Sequence, residues 1–154
     1  MAIDAGRLVR WYGLLLGAGL ALEGGLLLAL DGLRLALPFA TGDARHNALH
    51  LVWGLVILSV LLTGRTVRRA ALVAIVFGVF YSLLAVVGVL VERPFGLLLG
   101  PGENAFHFIV GPLALALGVW GYASSSSSSS SAASRAATVS SASTGAGSRS
   151  GSGR

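Results

Sequence analysis

The chain has 154 residues, 55% of them hydrophobic and 11% charged, with a mean hydropathy of +0.81, a formal charge of +5 and no cysteine. Soluble domains carry about a quarter charged residues, so this composition excludes an ordinary water-soluble fold and predicts one solvated by lipid. Disulfides, thiolate metal sites, iron–sulfur clusters and a thiol nucleophile are excluded with the cysteines; the 11 basic residues, all arginine, cluster at the ends of apolar runs and in the C-terminal tail rather than along one face, which argues against nucleic-acid binding.

Spanning the apolar core of a bilayer takes about 20 helical residues. The first run that qualifies is 8–30. Arg7 and Arg10 precede its apolar stretch from Trp11 to Leu30 and Ala36, Pro38 and Ala40 follow it, an arrangement that loosely resembles a secretory signal. The apolar stretch exceeds the usual core of about 7–15 residues, so the segment is expected to be a retained span. Within it Gly13 and Gly17 form a Gly-x-x-x-Gly step suited to close helix approach, in the bundle or in a dimer, and Glu23 stands deep in the apolar run. An ionised carboxylate there is costly and turns inward to a partner or takes up a proton.

The second span is predicted over 48–63 and contains Gly54; a tight turn with Arg65, Arg68 and Arg69 leads to the third, over 70–91. The fourth covers 105–122, with Gly111 and Pro112 inside it, and Pro112 is expected to free the carbonyl of Phe108 and kink the helix. From Ser124 the composition turns to serine, alanine, threonine and glycine with three arginines, so 124–154 is expected to be a disordered cytoplasmic tail on a membrane domain of residues 1–123. The fold class is therefore all-α, a four-helix transmembrane bundle made of two tandem helical hairpins.

Arginine placement gives the orientation. Arg7, Arg10, Arg65, Arg68 and Arg69 lie at one end, whereas Arg34, Arg45 and Arg93 at the other are offset by Asp31, Asp43, Glu92 and Glu103. Both termini are thus expected in the cytoplasm of a bacterial plasma membrane, with Trp11, Tyr12, Trp120 and Tyr122 anchoring that interface.

Superposing Asn47 on Asn104 also superposes His50 on His107 and Gly54 on Gly111, an internal repeat with the two halves pointing the same way. Both Asn-x-x-His elements should then occupy the outer interface. One reading makes Asn47 and Asn104 helix N-caps with the histidines reaching back toward them. The other brings two imidazoles together at one depth in the bundle, able to bind a haem, or a divalent metal with help from His46 and Glu103 in the loops. Glu23 reads either as a buried structural hydrogen bond or, with His50 and His107, as a proton or cation relay.

His46-Asn47-x-x-His50, the arginine turn, Phe77-Gly78-Val79-Phe80-Tyr81 and Phe95-Gly96-Leu97 leading to Glu103-Asn104-x-x-His107 resemble a family of small bacterial four-helix membrane proteins catalogued as a domain of unknown function. The likeness covers about residues 8–122, and in outline the chain is distantly similar to DoxX-like membrane proteins. It implies the fold and imports no reaction. The functional expectation is a non-enzymatic protein acting structurally or through partners in the bilayer, a second copy or another membrane protein, with no cofactor; the alternative is a redox role with haem or quinone, or proton or cation transport, using Glu23, Asn47, His50, Asn104 and His107.

Overall fold

A computed structural model describes residues 4–33, 35, 43–64, 66–91 and 93–146, with side chains as far as Ser127. Arg34, the 36–42 segment, Arg65, Glu92 and residues 147–154, on which parts of the sequence reading fall, lie outside the described residues.

Among the described residues four helices make the fold, α1 (Ala5–Gly32), α2 (Ala44–Thr63), α3 (Val67–Leu90) and α4 (Pro101–Ala146), with a 3-10 turn at Pro94–Gly96 before α4. Ala5–Gly32, Ala44–Thr63, Val67–Leu90 and Pro101–Ser127 are each long and apolar enough to cross a membrane, and the chain is an integral membrane protein. Helices are required because lipid offers no partner for a backbone N–H or C=O.

Local chemistry fixes where they begin. Asp4 caps α1, its carboxylate accepting from the backbone N–H of Gly6 and Arg7. Asp43 does the same for α2 through Arg45 and His46. Pro101, which needs no donor at a helix start, opens α4 with Glu103 in its first turn.

The architecture is two tandem hairpins, α1 along α2 and α3 along α4, with α2 and α3 barely touching. Glycines set the crossings. A methyl group on Gly24 would run into the backbone of Asn47 and Leu51, and one on Gly54 into Ala21 and Gly17; in the second hairpin Gly78 faces Leu115 and Gly111 faces Tyr81 and Ser82. Gly13 and Gly17 lie against Leu61, Ile57 and Leu58, so these two glycines pack inside the bundle and are not a free dimer face. Between the hairpins, Val9, Leu20, Ile57, Leu61, Phe77, Tyr81 and Leu84 form the apolar core.

The N-cap reading of the asparagines differs from what is seen. Asn47 is not an N-cap, because Asp43 starts α2 a turn earlier; the Asn47 N–H is already paired with the Asp43 carbonyl. Nor is Asn104: its N–H bonds to the Gly100 carbonyl and its side-chain amide donates to the Gly88 carbonyl at 3.2 Å, tying α4 to the end of α3. Through the serine run, α4 extends to Ala146. Ser124, Ser125, Ser126 and Ser127 donate back to the carbonyls of Trp120, Tyr122, Tyr122 and Ala123, which keeps these hydroxyls paired.

Candidate functional site

The bundle has a turn end, with the start of α1 and the α2–α3 turn, and a loop end, where α2 and α4 both begin. At about 1.5 Å per residue, His50 and His107 each lie roughly 9 Å below the first residue of their helix. They meet at that depth. His46, one turn above His50 on the same face of α2, completes a cluster in which one ligand atom of each of the three residues lies within 4.8 Å of the others.

All three rings are buried, His107 completely. Ring centroids stand 4.4 Å apart for His46 and His50, 5.6 Å for His46 and His107, and 6.2 Å for His50 and His107. Tyr81 of α3 packs edge-on against His107 at 4.9 Å and Phe106 closes another side. The cluster is a polar knot inside aromatic walls.

Glu23 reaches it from α1. Its Oε2 lies 3.2 Å from His50 Nδ1, and the side chain is 52% exposed whereas that of His50 is 5% exposed. A carboxylate accepts only, so this contact puts the proton on Nδ1 and leaves the lone pair of His50 on Nε2. Among the described residues, both nitrogens of His46, both of His107 and Nε2 of His50 are buried with no hydrogen-bond partner, and so is the hydroxyl of Tyr81. Buried polar atoms are almost always paired, so five bare imidazole nitrogens in one place demand a reason.

Above the cluster, Asp43 joins the two hairpins. Its Oδ1 caps α2, and its Oδ2 accepts from the backbone N–H of Leu98 at 2.9 Å in the segment before α4. That segment turns through Phe95 and Gly96, both at positive φ, and buries Leu97 and Leu99. Burial pushes the Asp43 carboxyl up, but the N–H groups of His46, Leu98 and Arg45 outweigh it and hold its pKa below the ordinary aspartate value.

The fold thus brings together Glu23, His46, His50 and His107. Asn47 is buried one turn above Leu51 at the close crossing with Gly24, and the side-chain amide of Asn104 serves the α3–α4 hairpin rather than the cluster. His46, placed in a loop by the sequence reading, belongs to α2. Tyr81 entered that reading only within the third-helix motif and not as a site residue, since a tyrosine in an apolar span carries no signal of its own. The chain matches no protein-family model, and comparison with curated proteins and with solved structures returns no similar protein.

Proposed function

We propose that this integral membrane protein is a cation-binding protein of the bacterial plasma membrane, with Glu23, His46, His50 and His107 as the binding group and both termini in the cytoplasm. The observation that carries the reading is the set of five buried imidazole nitrogens without a partner. A purely structural bundle accounts for the glycine crossings and the apolar surface. It leaves those nitrogens as an unrecovered cost of about 1–3 kcal/mol per unpaired group. A bound proton or metal ion turns the same lone pairs into the favourable part of the site.

Orientation rests on the turn end, where Arg7, Arg10, Arg68 and Arg69 stand beside exposed Trp11 and Trp120. With that end inside, the cluster lies near the outer face. A haem receives no support from the packing: a nitrogen of the third imidazole lies within 4.8 Å of those of the other two, in the space where a porphyrin plane would have to pass.

The test is cation uptake by the purified full chain in detergent, by equilibrium dialysis against proton, alkali, alkaline-earth and transition-metal ions in turn. One cation is expected to bind stoichiometrically, and replacing the three histidines by alanine together is expected to abolish it. Uptake of none by the wild type defeats the proposal.

A further inference from the structure

The donor atoms narrow the class of cation, an inference that rests on the cation-binding reading. We infer that His46, His50 and His107 form a three-imidazole site for a transition-metal dication of the zinc type, with Glu23 as the outer partner that fixes His50.

The chemistry of the donors is the first reason. Sodium, magnesium and calcium ions take oxygen ligands, whereas the cluster offers three imidazoles, and the Glu23 carboxylate beside it is engaged with His50 Nδ1. Imidazole nitrogens suit Zn2+ and its neighbours Co2+, Ni2+ and Cu2+. The Glu23–His50 contact has the form of a carboxylate–histidine–metal relay, in which the carboxylate holds the ring and the opposite nitrogen faces the ion.

Geometry is the second. Zn–N bonds of about 2.0–2.1 Å in a tetrahedral site put ligand nitrogens about 3.3 Å apart. Ligand atoms already within 4.8 Å of one another need to close by at most about 1.5 Å. The rings of His46 and His107 can rotate into place without breaking a hydrogen bond, because their nitrogens make none. Three protein ligands leave one position for water or a small ligand, the pattern of a zinc site that is open rather than sealed.

Placement is the third. His46 and His50 belong to the first hairpin and His107 to the second, so the ion would join two units that are otherwise tied at this end by the Asp43–Leu98 bond. Glu23 is the half-exposed member, which makes its carboxylate the part of the relay that the surroundings of the bundle reach first.

The experiment is titration of the chelator-stripped full chain in detergent with Co2+, followed by Zn2+, with Mg2+ and Ca2+ as controls. One equivalent of Co2+ is expected to give the intense visible absorption of a tetrahedral nitrogen site, displaced by Zn2+ and untouched by Mg2+ or Ca2+. His46→Ala and His107→Ala, each checked for an unchanged helical circular-dichroism spectrum, are expected to lose the band. Glu23→Gln is expected to keep its shape while weakening Zn2+ binding about 10–100-fold. Should one variant fail to fold, the other carries the comparison. A weak octahedral spectrum, or a band that survives both histidine variants, overturns the inference. Stoichiometric uptake of Mg2+, Ca2+ or an alkali ion with no binding of Zn2+ or Co2+ overturns it while leaving the cation-binding reading intact; uptake of no cation ends both.

Discussion

Leucine in place of His107 keeps a side chain of similar volume at a completely buried position and removes two ring nitrogens that have no partner. An unpaired buried polar group costs about 1–3 kcal/mol, and the low end applies in lipid because the unfolded chain in a membrane meets the same shortage of partners. His107→Leu is therefore expected to raise the stability of the metal-free protein by about 1–2 kcal/mol. With Zn2+ at a hundred times its dissociation constant, the wild type gains about 2.7 kcal/mol from binding and the variant nothing, so the order of the two proteins reverses. Reversible unfolding in mixed micelles, with and without chelator, measures both. A variant less stable than the wild type by more than about 1 kcal/mol in chelator refutes the reasoning, since the ring would then be satisfied without an ion.

Gly54→Val is expected to cost about 1–3 kcal/mol by pushing into the backbone of Ala21 and Gly17, whereas Gly19→Ala, with nothing within 4 Å of the added carbon, should leave thermal unfolding unchanged or slightly improved. Asp43→Ala should cost about 1 kcal/mol as a lost helix cap and speed amide exchange at Leu98. Because the folded pKa of Asp43 is depressed, its contribution is present above the ordinary aspartate range and is lost as pH falls through that lowered value; the low-pH loss of stability should be smaller in the alanine variant. The chain has no cysteine, so single cysteines report topology directly: an impermeant thiol reagent on intact cells should label Leu98→Cys and spare Ser126→Cys.

The four spans were legible because an apolar run of about 20 residues in lipid has little choice but to be a helix. Less legible was the start of α2, where Ala44, Arg45 and His46 look like loop residues by hydropathy. Reading Asn47 as the cap hid the better one, Asp43, and with it the fact that His46 and His50 stand at i and i+4 on one helix face. That spacing was in the sequence and was the missed signal that His46 stands on the helix rather than in the loop. The pairing of Glu23 with His50 was a matter of depth counting, which residue numbers permit. Which atoms lack partners was not readable, because it depends on how Tyr81 and Phe106 pack against the rings.

Where the cluster sits bears on why it exists. Glycine crossings give each hairpin its own tight contact, backbone against backbone at Gly24 and Gly54 in one and at Gly78 and Gly111 in the other, so neither hairpin needs histidine to hold together. Polar ties between hairpins are already supplied by Asp43 to Leu98 and by the Tyr12 hydroxyl to the Val110 carbonyl. An apolar layer like that formed by Phe77, Leu84 and Leu20 would fill the remaining space at lower cost than three imidazoles. Bare nitrogens from both hairpins at matched depth, with one carboxylate already orienting the ring beside it, make sense as a receptor for positive charge. As packing they leave the bundle weaker than its own apolar core shows it could be.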